Sequence, residues 1–108
     1  MFRINRISID DAKLLIEGAR NKASQIRIPM CIAIVDESGQ LVAFERMNGG
    51  KVTSSIIAQD KAFTAVGARK ATHEYKAVCQ PHNLVFGIHN ALGGRLCDVG
   101  GGLPVTVD

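Results

Sequence analysis

The stretch "PMCIAIVDESGQLVAFERM", residues 29–47, constrains the fold of this chain more than any other. Residues 30–35 are apolar at every position, the pattern of a strand covered on both faces. Asp36, Glu37, Ser38 and Gly39 follow as turn chemistry, with Gly39 placed to take a positive φ in a short loop. Residues 41–47 return as a second strand that meets solvent at Glu45 and Arg46. Pro29 blocks any helix from running into the first strand. The reading is a β-hairpin, and the rest of the chain must pack on it.

The strongest helical signal comes before the hairpin. Ile9, Ala12, Ile16, Ala19, Ala23 and Ile26 recur in steps of three and four, which makes one apolar stripe. Ser8 is placed as the N-cap, and Asp10 and Asp11 suit the positive end of the helix dipole. The alanines predict close packing against a sheet. After the hairpin, "NGG" at 48–50 breaks the chain, and Thr53 or Ser54 caps a helix expected to reach about Lys70. Its predicted core face holds Ile56, Ala62, Phe63 and Val66. Asp60 and Lys61 stand at the edge of that stripe, either as a solvated charge pair or as functional groups. A short helix is expected over residues 72–79, capped by the Thr72 hydroxyl and stopped by Pro81. Residues 83–87 suggest a turn. Strands are expected at 95–99, opened by Gly93 and Gly94, and at 103–107.

Hairpin-joined strands followed by helix indicate an α+β domain, an antiparallel sheet with helices packed on it. A doubly wound dinucleotide fold needs strand–helix alternation and a glycine fingerprint after the first strand, and here a tight turn and a second strand follow instead. The 108 residues suffice for one domain, 1–108, with no repeat and no linker. The net charge is +3, and its basic residues are scattered singly, which argues against nucleic acid. The longest apolar run has six residues, far too few to span a bilayer, and residues 1–13 do not read as a secretory signal. Three cysteines without regular spacing do not make a disulfide framework. A cytoplasmic protein without a membrane partner is the expectation.

Chemistry-bearing residues concentrate late in the chain. His73, His82 and His89 lie close together, Cys79 and His82 form C-x-x-H, and Cys97 follows. Structural zinc sites use two tightly spaced ligand pairs and only one is present, so no metal is expected. No nucleophile signature surrounds a cysteine, and no G-x-S-x-G elbow occurs. The glycine run Gly100, Gly101 and Gly102, closed by Leu103 and Pro104, allows two readings. One is a nest of backbone N–H groups for a carboxylate or phosphate. The other is a turn whose glycines serve backbone geometry alone.

"IAIVDESGQLVAFERMNGG", "KAFTAVGARKATHE" and "GGGLPVTVD", in this order, resemble the GlcG/HbpS-like family, also met as the C-terminal domain of PduO-type proteins. The likeness covers nearly the whole chain, and "THEYKAVCQP" is similar to the PduO-type branch. The resemblance implies a profilin-like α+β domain that forms homo-oligomers. It also implies haem or a related tetrapyrrole as a possible cofactor, and the family carries a haem-degrading label. Motif matches fall on Asp36, Gly39, Arg46, Met47, Lys61 and the loop Gly100, Gly101, Gly102, Leu103 and Pro104.

Two departures from the family pattern matter. PduO-type domains are thought to hold haem through a histidine in the first helix, whereas this chain has no histidine before His73. A haem ligand must then come from His73, His82, His89 or a cysteine, with His73 preferred. Family domains also continue past "GGLPV" with another strand and a helix. Either a neighbouring copy completes the core or the sequence is a fragment, and cover from a neighbouring copy is the expectation. Three functions follow: a small-molecule or tetrapyrrole binding domain with its ligand near Gly100, Gly101, Gly102, Pro104 and His73; an enzyme acting on haem or a small acid or diol metabolite, with Lys61, His73 and Arg46 as catalytic candidates; or an assembly domain without ligand.

Overall fold

The computed structural model describes residues 1–107. The elements run α1 (Ile9–Gln25), β1 (Cys31–Val35), β2 (Leu41–Arg46), α2 (Ser54–Ala68) and α3 (Thr72–Val78), followed by two 3-10 turns at Ile88–Asn90 and Leu92–Gly94. This is the expected α+β arrangement of helices on an antiparallel sheet.

Ser8 caps α1 as its sequence suggests, the hydroxyl accepting the Asp11 N–H at 3.0 Å. The far end closes with two crossed bonds, Ile28 N–H to the Ala23 carbonyl and Arg27 N–H to the Ser24 carbonyl. Arg27 sits at φ +60° in the position that glycine usually takes in such a cap. Ala12, Ile16 and Ala23 of the expected stripe are buried, but Ile9 and Ile26 at its ends are half open to solvent. The helix packs on both strands through its alanines, which permit close approach.

β1 and β2 pair antiparallel, Cys31 opposite Arg46 through Ile34 opposite Ala43, with an irregularity before Val35 meets Leu41. Asp36 builds the turn: one carboxylate oxygen accepts the Ser38 hydroxyl at 2.6 Å and the N–H groups of Ser38 and Gln40. Gly39 takes φ +81°, and a Cβ there would lie 2.7 Å from the Phe63 ring. The hairpin tip is thereby pressed onto α2. Arg95 stacks over that same ring, 3.9 Å from its centre, and holds Asp60 at 3.2 Å.

Four local expectations need correction. The sheet has two strands only among the described residues, and 95–99 and 103–107 are not strands. The buried residues of α2 are Thr64 and Ala65, while Ile56 is 63% exposed; Phe63, Val66 and Ala62 are half-buried. Thr72 is the first residue inside α3 and does not cap it; Ala71 holds the cap position without a side-chain bond. β1, read as covered on both faces, is half-buried along its whole length.

The reason lies in two threonines, the largest side chains that are fully buried. The Thr64 hydroxyl donates to the Asp60 carbonyl at 2.7 Å and accepts the Cys97 N–H at 2.8 Å. The Thr72 hydroxyl accepts the Gly102 N–H at 2.9 Å, and the Gly102 carbonyl accepts the Thr72 N–H at 2.9 Å. Buried backbone groups need partners, and here helical side chains supply them where a neighbouring strand was expected. Residues 95–102 are stitched to α2 and α3.

Candidate functional site

Lys61 from α2, Thr72 and His73 from the start of α3, and the glycine run meet in one corner. The three glycines do different jobs. A Cβ on Gly102 would lie 2.5 Å from the Lys61 carbonyl oxygen and 2.7 Å from Thr72 Cγ2, so only glycine fits there. Gly101 has φ +124°, a conformation that side chains avoid. Gly100 meets neither limit; its nearest neighbour would be His73 Cβ at 3.5 Å, an ordinary contact.

The structural turn is realised at Gly102. Gly102 spends its N–H on Thr72 and serves packing. The Lys61 side chain lies along Gly101, its Nζ 3.2 Å from where a Cβ would sit. Lys61 enters no ion pair among the described residues, in contrast to Asp60, which is held by Arg95. Lys61 and His73 thus flank the adjacent bare residues Gly101 and Gly100. The His73 side chain is 63% exposed, with Glu74 Oε1 at 4.0 Å.

The other candidates lie elsewhere. Arg46 packs against Gly50 at the open end of the hairpin, opposite the Gly39 turn, so it does not join Lys61 and His73. Asp36 and Glu37 act in the hairpin turn. The Ser38 hydroxyl holds the Asp36 carboxyl below the usual range, and Arg6 does the same for Glu37 through a hydrogen bond at 2.8 Å. Met47 accepts the Met30 N–H through its sulfur at 3.4 Å. Among the described residues no three Cys, His, Asp or Glu side chains gather into a metal-binding group. All three cysteines are free thiols. Cys79 is buried, and burial together with the nearby Asp98 charge pushes its thiol pKa up.

Pro104 faces a different space. With its neighbours at 103–107 it forms one wall of an open groove of about 1040 Å³. The other walls are α1 at Leu14 and Leu15, β1 at Ala33, Ile34 and Val35, and α2 at Ala62, Ala65 and Val66. A smaller hollow of about 490 Å³ lies between α1 and β2, crossed by the Arg20–Glu45 ion pair at 2.9 Å; no histidine or cysteine lines it. Thr64 escaped sequence reading, and Thr72 is legible there only as a helix cap, because a buried threonine looks like any helical threonine until its partner segment is placed.

No helix of the described residues is long and apolar enough to cross a membrane. The crystal structure of the Klebsiella pneumoniae protein ORFY superposes with a TM-score of 0.94 over all of this chain and 74% of that one, at 27% identity. The structure of a PduOC–heme complex superposes with a TM-score of 0.85 over 90% of this chain and 70% of that one, at 34% identity. The corrinoid adenosyltransferase PduO of Salmonella typhimurium is 35% identical over 102 residues, which are 94% of this chain but 30% of that protein. The profile of the family described as "Haem degrading protein HbpS-like" matches residues 7–108. On the hairpin, the Lys61 helix and the glycine corner alike, the chain belongs to the HbpS-like family.

Proposed function

We propose that this chain is a small-molecule-binding domain whose ligand is of the haem or tetrapyrrole class, acting as a cytoplasmic homo-oligomer. The observation that carries the reading is the 34%-identical relative whose solved structure is a heme complex on the same fold. The residues here suit such a ligand. His73 offers an outward imidazole, and haem iron takes histidine as an axial ligand. Lys61 offers an ammonium that pairs with no carboxylate among the described residues, beside the backbone of Gly101. Carboxylate side chains of a macrocycle pair with such a cation through charge-assisted hydrogen bonds. α1 contains no histidine, and among His73, His82, His89 and the cysteines the reading prefers His73, which stands beside Gly100.

The homo-oligomer is supported by the uncovered groove, whose walls include Leu14 at 67% and Val105 at 70% exposure. Exposed apolar patches of this kind mark protein–protein contacts or ligand grooves. Three unpaired thiols agree with a reducing compartment.

Titration with haemin tests the reading. A saturable Soret shift is expected, with the axial-ligand band lost in His73→Ala and affinity reduced about tenfold or more in Lys61→Ala, the scale of one charged hydrogen bond. An unchanged Soret band across the titration overturns it.

A further inference from the structure

Asn48 and Gly49 are the central residues of the turn that follows β2, which the Gly50 N–H closes on the Met47 carbonyl at 2.9 Å. That bond leaves the Gly49 N–H out of the turn's own hydrogen bonding. Gly49 takes φ +88°, and a Cβ there would lie 3.3 Å from Pro29 Cγ. Asn48 is exposed. Of the five asparagines in the chain it alone precedes a glycine; Asn5, Asn21, Asn83 and Asn90 are followed by arginine, lysine, leucine and alanine.

Asparagine amides are thermolabile. The main-chain nitrogen of the next residue can attack the side-chain amide carbon and close a five-membered ring. A side chain on that next residue crowds the approach, and glycine has none. Asn48 and Gly49 meet this requirement in a turn at the surface, where water reaches the product.

We infer that Asn48 is a site of spontaneous, base-promoted deamidation in the folded protein. The Gly49 nitrogen bonds to Asn48 Cγ, the Cγ–Nδ2 bond breaks, and the side-chain nitrogen leaves as ammonia with the proton that Gly49 gives up. Water then opens the cyclic imide. Opening at Cγ leaves aspartate in place of Asn48; opening at the main-chain carbonyl carbon routes the chain through Cγ as isoaspartate. Amide and water become acid and ammonia, and no electrons are exchanged.

The turn makes the second product consequential. A Cβ on Gly50 would lie 3.0 Å from the Met47 carbonyl oxygen and 3.4 Å from that of Met30, so main chain is closely packed there. Isoaspartate adds a carbon to this backbone and must disturb the Gly50–Met47 bond or the seat of Gly49 on Pro29. That turn joins β2 to the residues leading into α2, the helix that carries Lys61.

The test incubates the folded, unaltered protein in mildly alkaline buffer with warming. Samples are digested with an acid protease, which stops further conversion, and mapped by mass spectrometry with electron-transfer fragmentation. The amide-to-acid mass gain is expected at Asn48 at least about tenfold faster than at the other four asparagines. The rate is expected to rise with pH, with both aspartate and isoaspartate formed. Asn48→Gln would need a six-membered ring and is expected to lose the conversion while keeping the melting temperature. A rate at Asn48 no greater than at the other asparagines overturns the proposal. Conversion only in the urea-unfolded chain also overturns it, since the turn would then protect the residue. The isoaspartate form, separated by ion exchange, is expected to melt below the unaltered protein; equal melting temperatures overturn the effect on the turn.

Discussion

Thr72 and Gly102 exchange two hydrogen bonds of 2.9 Å each: the Gly102 N–H donates to the Thr72 hydroxyl oxygen, and the Thr72 N–H donates to the Gly102 carbonyl. The pair closes the glycine corner and fixes where Lys61 and His73 stand. Removing the hydroxyl leaves a buried N–H unpaired, which costs about 1–3 kcal/mol. Thr72→Val is expected to lose stability on that scale in urea denaturation, whereas Thr72→Ser keeps the bond and most of the stability.

The glycines separate by substitution. Gly102→Ala puts a methyl against the Lys61 carbonyl at 2.5 Å, and backbone cannot yield as a side chain does. A loss of about 3 kcal/mol or more is expected. Gly100→Ala meets only an ordinary contact and is expected to stay within about 0.5 kcal/mol. Equal melting temperatures for the two variants would contradict the packing role.

Arg27 ends α1 in a left-handed conformation that costs a side-chain-bearing residue about 1 kcal/mol. Arg27→Gly relieves it while keeping both cap bonds. The midpoint of chemical denaturation is expected to rise by an amount near that figure, less the entropy that glycine adds to the unfolded chain.

The hairpin turn is sensitive to acid. Asp36 and Glu37 have folded pKa values below their ordinary ones, through the Ser38 hydroxyl and Arg6 respectively. Their contribution is complete above the unfolded carboxylate range and is lost as pH falls through the folded values. Melting temperature is expected to drop from about pH 5 downward, and Glu37→Gln is expected to flatten part of that slope.

Cys79 is expected to resist alkylation at neutral pH while the protein is folded, since burial and Asp98 keep its thiol protonated. Peptide mapping after iodoacetamide treatment checks this; labelling of Cys79 as fast as in the unfolded chain would refute it.

Short-range chemistry was the readable part of the sequence. The Ser8 cap, the Asp36–Gly39 turn and the break at Pro29 each depend on residues within a few positions, and each stands where expected. Residues 95–99 and 103–107 read as strands on apolar character, whereas partners decide a strand. Thr64 and Thr72 supply the bonds for Cys97 and Gly102 from 30 and more positions away, a distance that periodicity does not reach. The glycine corner was legible as a place of tight backbone, but not the division of labour within it, which depends on what Lys61 and Thr72 bring alongside. Arg46 shows the opposite limit: a motif match in sequence that lies at the far end of the hairpin from Lys61.

One aromatic ring joins parts of the chain that share no local code. Phe63 receives the hairpin tip at Gly39 on one side and the Arg95 guanidinium on another. A bulkier residue at position 39 must displace that ring, on which the Arg95 guanidinium rests. The tip of the hairpin thus touches, through one ring, a residue more than fifty positions downstream, and a disturbance at Gly39 is expected to reach the Arg95–Asp60 contact.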